Sequence, residues 1–305
     1  MKQGPCALSA SVLVLAAVLY PGNPRAGELQ SASGTFALEL GGAQVGLLHF
    51  AKGGEEPAEV VTGMLGKSQL KEHHFRDLAL EVGAGMSPVV YDWIASAWEG
   101  KYRLATGAVL TSNSSFEIVA RREFSGTLSE TTLPALDVAS KEPAYLAFKI
   151  QLENLRSVAG PGGSGSKVST TGSKPWTRNN FRLEIPGLDC SHVTKIDAMT
   201  VTSGLKRIDF PHITLTLSEG SDAWRTWFES LVTGDSDDKL GKNGELVFLA
   251  PDMATELGRV HLFNLKMMMI QTLKVATASD PVKTVIVRLS CDHMTFEWKT
   301  KPSAH

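Results

Sequence analysis

Two stretches of this chain alternate large apolar residues with small or polar ones in nearly the same words. Phe36-Ala-Leu-Glu-Leu40 is followed by Gly42, and Phe181-Arg-Leu-Glu-Ile185 by Gly187. Such alternation predicts a strand with one buried face. A second block follows each copy in the same order. Phe75, Leu78, Leu80 and Val82 lead into Trp93 and Ile94; Phe210, Ile213, Leu215 and Leu217 lead into Trp227 and Phe228. In a third block, Val138-Ala139 through Pro143 to Leu146, Phe148, Ile150 and Leu152 matches Val275-Ala276 through Pro281 to Val285, Val287 and Leu289. The separation drifts from about 145 to about 137 residues, a domain length rather than a solenoid period.

One helix is predicted in each copy. Trp224, Trp227, Phe228 and Leu231 fall at i, i+3, i+4 and i+7, with Ser221-Asp222 before them as cap and Gly234 after. In the first copy Ser87-Pro88 supplies cap and first turn, Val90, Trp93, Ile94 and Ala97 form the stripe, and Gly100 ends it. The tryptophans read as core anchors that close each helix onto a sheet. Residues 34–155 and 176–298 are therefore expected to be two tandem antiparallel β-sandwich or barrel domains, each with one packed helix. The fold class is mainly β (α+β). Between them, residues 156–175 are rich in Gly, Ser and Thr and read as a flexible linker.

Composition narrows the picture. The chain has 305 residues, enough for a core in each copy, and a net charge of -2 that leaves no global electrostatic footprint for nucleic acid. At the N-terminus, Lys2 precedes an apolar run from Ala7 to Leu19, then Tyr20-Pro-Gly22. Residues 1–26 read as a signal peptide cleaved near Ala26, which places the mature chain in the periplasm or outside the cell. A mis-called start, with a cytoplasmic or virion-like location, or a retained anchor is the alternative. Of the three cysteines, Cys6 would leave with that segment. Cys190 and Cys291 remain as free or buried thiols, or as a pair in an oxidising compartment.

Catalytic and binding motifs fail on spacing. Gly160 to Lys167 resembles a phosphate loop, but Ser166 separates the last Gly from Lys. Gly85-Met-Ser87-Pro-Val89 lacks the closing Gly of a nucleophile elbow. His73 and His74 are adjacent, so on a strand they point to opposite faces and cannot share a metal. Asp235-Ser-Asp237-Asp238 begins like a calcium loop, but Lys239 and Leu240 stand where an acid and Gly are required. Met267-Met-Met269 lies in an apolar stretch and reads as core or as a subunit contact. The expectation is no catalytic residue, no cofactor and no metal site, hence no enzyme.

The order of these blocks resembles the tail tube proteins of contractile phage tails and the type VI secretion tube. The opening strand at Phe181–Leu188, the Ile213–Leu217 strand, the Trp224/Trp227 helix, the Phe263-Asn-Leu265 phrase and the strand from Thr284 to Leu289 carry the likeness. The first copy matches with Phe36–Leu40, the 75–82 strand, the Trp93 helix, Phe124–Leu128 and Leu133–Asp137. The resemblance implies a non-enzymatic structural protein that pairs sheets between subunits into six-membered rings, stacked as a tube. It also implies sheath-, baseplate- or cargo-like partners. Three tandem chains would supply six domains, and a linker of this length averages on the order of 20–25 Å end to end. An exported monomeric binding module reusing the same fold is the alternative.

Overall fold

The computed structural model describes residues 35–54, 60–62, 68–70, 75–159, 167–170, 176–204, 206–218, 222–233, 241–275 and 282–299. The first half runs β1 (Phe36–Leu40), β2 (Ala43–Lys52), β3 (Val60–Thr62), β4 (Ser68–Leu70), β5 (Leu78–Val82) and α1 (Pro88–Trp98). It continues with β6 (Ala105–Ser112), β7 (Ile118–Leu133), β8 (Leu136–Asp137), β9 (Pro143–Ala144) and β10 (Leu146–Ala159). The second runs β11 (Trp176–Thr177), β12 (Phe181–Glu184), β13 (Val193–Ile196), β14 (Met199–Gly204), β15 (Arg207–Asp209), β16 (Ile213–Leu217) and α2 (Asp222–Thr233). It ends with β17 (Lys242–Leu249), β18 (Glu256–Val275), β19 (Val282–Ser290) and β20 (His293–Trp298). The fold is mainly β, with antiparallel sheets and two helices among the described residues.

The two halves share one strand order. In the first, neighbours run β1-β6-β7-β10-β5-β2, and β2 returns to β1, so the sheet closes into a six-stranded barrel. In the second, the corresponding path is β12-β17-β18-β19-β16-β13. Here β13 does not pair with β12, and the barrel stays open at that seam. The connections after the first strand explain the difference. Gly41 and Gly42, both at positive φ, make the tight turn that folds β2 back on β1 as a hairpin. In the second half Pro186-Gly187 forms a turn in which the Leu188 N–H donates to the Ile185 carbonyl at 3.0 Å. Gly187 takes the positive φ this turn needs, but residues 185–192 then carry the chain away before β13 begins.

Apolar positions read from the sequence lie where alternation puts them. Leu38, Leu78, Leu80, Val82, Leu183, Ile213, Leu215, Leu217, Val287 and Leu289 are all buried. Helix α1 buries Val90, Trp93, Ile94, Ala97 and Trp98, and Gly100 at positive φ follows its end. Ser87 starts that helix through its backbone: its N–H donates to Val45 O at 2.7 Å, and its side chain makes no cap bond. Helix α2 buries Trp224 and Trp227. Several strands exceed the sequence expectation. The Phe263-Asn-Leu265 phrase lies inside the 20-residue β18. Asn264 adopts φ 53, a conformation Asn tolerates, and its Oδ1 accepts from Gly241 N at 3.0 Å. There β18 changes partners, from β17 and β20 to β19.

The expected boundaries need correction. Residues 156–159 are not linker; they extend β10. Lys167 bridges to Glu117, and Val168, 3% exposed, packs with Ala37, Ala108 and Leu110 on the outside of the first barrel. Gln44 clamps this segment: its Nε2 donates to Ser169 O at 2.6 Å, and Ser169 N donates to its Oε1 at 2.8 Å. A buried apolar residue inside a Gly/Ser-rich run is what ties it down. Nor do the halves have separate cores, because the buried residues of both merge into one cluster.

Candidate functional site

The most developed feature of the molecule is the junction between the two halves, built by exchange of strands. After β13, the chain of the second half sends β14 back to pair with β7 of the first. In return, β8 of the first half adds to the sheet of the second by pairing with β13. A short pair, β9 with β11, stitches Ala144 to Trp176. Each half thus lends an edge to the other, which removes unpaired N–H and C=O groups from both sheets.

Side chains reinforce these ladders. Along β7 and β14, Leu133 faces Met199 and Thr131 faces Val201; all four are nearly inaccessible. Between those pairs the Thr132 and Thr200 hydroxyls lie 2.9 Å apart in a hydrogen bond. The Ser203 hydroxyl donates to Ala97 O at the end of α1 at 3.3 Å, and the Tyr102 hydroxyl donates to Gly204 O. Behind the strands lies an aromatic cluster drawn from both halves. Trp176 is 1% exposed, with ring centres 5.3 Å from Trp298 and 5.9 Å from Phe248. Trp298 stacks on Tyr91 of α1 at 5.0 Å and donates its indole N–H to Ala84 O at 3.3 Å. Tyr91 is fixed in turn: Met86 N donates to its oxygen, which donates to Gly83 O. Burial pushes that phenol well above its ordinary pKa, so it stays neutral.

Charges on the outer faces are spent on one another. Arg121 of β7 reaches across β6 to Glu39 of β1 with two bonds of 2.7 and 2.6 Å, and holds Glu123 at 2.9 Å. These carboxylates raise its pKa further, which locks the charge. In the second half Arg259 of β18 grips Glu256 through two bonds of 2.6 Å and Glu245 at 2.6 Å. Arg259, helped by Lys299, pulls the Glu256 pKa down to about 2. Both groups bind strand to strand. A polar groove of about 430 Å³ runs past Glu39, Arg121 and Asn154, and a more apolar one of about 520 Å³ lies along the open seam at Phe181, Leu183 and Cys190.

No group of three or more His, Cys, Asp or Glu side chains among the described residues is placed to hold a metal ion. Cys190 and Cys291 are free thiols, and burial pushes each up to about 11, so both are protonated near neutral pH. Met267 sits in the core while Met268 is half-exposed, with a bulge between Met267 and Met269. The expected core anchors Trp93, Trp224 and Trp227 are buried, and Trp224 donates its N–H to Asp189 O at 2.9 Å. His73-His74, Asp235–Asp238, Ser221 and the N-terminal segment 1–26 lie outside the described residues. No helix among the described residues is long and apolar enough to cross a membrane.

The junction itself escaped the sequence reading. Of the short strands that build it, β8, β9 and β11 have two residues each, too few to show alternation. The one available signal was the Thr/Val run Thr200-Val-Thr202, whose β-branched residues suit a strand. No protein-family model matches this chain, and no curated protein matches it.

Proposed function

We propose that this is a non-enzymatic structural protein that self-associates into rings through edge-to-edge sheet pairing, in the manner of the tail tube proteins its sequence resembles. Three chains supply six like modules per ring, and rings stack into a tube. One observation carries the reading: two halves with the same strand order already dock on each other by exchanging strands. A module that joins its covalent neighbour by sheet augmentation has the means to join a non-covalent one in the same way. The mutually neutralised outer charges and the protonated thiols suit a scaffold better than a reaction centre. Export through the N-terminal segment, and sheath-, baseplate- or cargo-like partners, belong to the same proposal.

Light scattering coupled to size exclusion, with negative-stain imaging, tests it. Particles of three chains or their multiples, seen as rings, are the expected result. A strict monomer at high concentration overturns it in favour of a monomeric binding module. N-terminal sequencing of native protein checks export by cleavage near Ala26.

A further inference from the structure

The junction inside one chain has an unused counterpart at each end. In the first half, β7 pairs with β6 through Ile118 to Gly126, and then with β14 of the second half through Glu130 to Leu133, on the edge not taken by β10. In the second half, β18 pairs with β17 only as far as Leu265. Beyond that, β19 covers one edge from Lys266 to Val275, and no described strand covers the other. Register identifies the equivalent residues. Phe148 faces both Leu80 and Thr131, and Val287 faces both Leu215 and Ile270. Thr131 therefore corresponds to Ile270, and the occupied edge 130–133 to the open edge Met269–Thr272. Exposure agrees at the matched position: Leu133 is fully buried, whereas its counterpart Thr272 is exposed.

The matching donor is also present. In the second half, the β14-β15 hairpin lies between β13 and β16 in chain order; in the first, the β3-β4 hairpin lies between β2 and β5. β14 and β15 join the sheet of the other half. β3 and β4 pair with each other and with no other described strand. A lone two-stranded hairpin is only marginally stable in water and needs a third strand. The phrase Val61-Thr62 in β3 corresponds to Val201-Thr202 in β14.

We propose that β3 of one chain docks on the open edge of β18 in the next chain, and so repeats between chains the β14–β7 contact found within one. The expected antiparallel register sets Val60 opposite Gln271, Val61 opposite Ile270 and Thr62 opposite Met269. It follows Thr200 on Thr132, Val201 on Thr131 and Thr202 on Glu130. Repetition of one contact around alternating halves is head-to-tail and closes as a ring if the rotation permits. The inference rests on the ring reading above and specifies which edges meet.

Paired cysteines test it. The side-chain oxygens of the reference pair Thr132 and Thr200 are 2.9 Å apart, so cysteines at the corresponding Val60 and Gln271 fall within disulfide reach. The full chain carrying Val60→Cys and Gln271→Cys, with Cys6→Ser, Cys190→Ser and Cys291→Ser to remove background thiols, is oxidised and run without reductant. Light scattering on the unmodified chain is run in parallel, and circular dichroism verifies folding. The expected result is a ladder of covalent dimers and trimers from the double variant, absent from either single variant. An unmodified chain that oligomerises, beside a folded double variant that does not cross-link, overturns this contact and leaves the ring standing. If the double variant misfolds, Val61→Asp replaces it, and oligomers that persist in that variant overturn the contact equally. A chain that stays monomeric overturns both.

Discussion

Trp176 joins the two halves, and its removal measures whether they share one core. Its ring is 1% exposed and lies 5.3 Å from Trp298 and 5.9 Å from Phe248, while its backbone pairs with Ala144 of the first half. Trp176→Ala removes the whole ring and leaves a cavity the surrounding strands can only partly fill, at a cost of about 3–5 kcal/mol. For a chain of this size each kcal/mol lowers the melting temperature by about 2–4 °C, so the fall is of order 10 °C. The indole N–H has no hydrogen-bond partner, so Trp176→Phe strands no acceptor and costs only about 1–2 kcal/mol. Trp224 is the contrast: its N–H serves Asp189 O, and Trp224→Phe adds about 1 kcal/mol for the orphaned carbonyl. Urea unfolding followed by tryptophan fluorescence and far-ultraviolet dichroism reads these costs. A shared core predicts coincident, single transitions that shift together. Two separate transitions, with only the later one moved by Trp176→Ala, would refute the argument, as would a cost below about 1 kcal/mol for the alanine variant.

Three further outcomes follow from the packing and ionisation. Arg259 and Lys299 hold Glu256 down at about 2, against an ordinary 4.5, so this group's contribution is fully present above pH 4.5 and is lost as pH falls toward 2. Glu256→Gln should remove about 1 kcal/mol after solvent screening at neutral pH and flatten the acid limb of a stability–pH curve; an unchanged limb would contradict the pairing. Val168→Asp should release residues 167–169 from the first barrel at a cost of about 1.5 kcal/mol, with faster limited proteolysis between the halves and unchanged dichroism. Equal cleavage rates would mean that the segment is not held by Val168. With both thiols raised to about 11, Cys190 and Cys291 should react slowly with a thiol reagent at pH 8 and quickly in denaturant, as followed by peptide mapping. Rapid labelling of Cys291 in the folded chain would show that its burial is wrong.

Sequence alternation settled which residues of β1, β5, β12, β16 and β19 face inward, and the i, i+3, i+4 spacing of Trp224, Trp227 and Phe228 settled the helix face. These are properties of near neighbours along the chain, and a pleated strand or a helix converts them directly into a buried side. The ends of elements were less legible. β18 runs on through Asn264 because that residue can bend to positive φ while its side chain ties down Gly241. Within the Gly/Ser-rich segment, the apolar side chain of Val168 finds a patch of Ala37, Ala108 and Leu110 that local reading leaves invisible.

The candidate interface was out of reach altogether. Which edge a strand joins depends on hydrogen-bond partners far away in the chain, and periodicity says nothing about them. That Met199–Gly204 crosses to β7, that Leu136–Asp137 crosses to β13, and that only the first barrel closes were decided by tertiary structure. The chain's own pattern determined two sets of strands and two helices; the satisfaction of their exposed edges determined how the sets were joined.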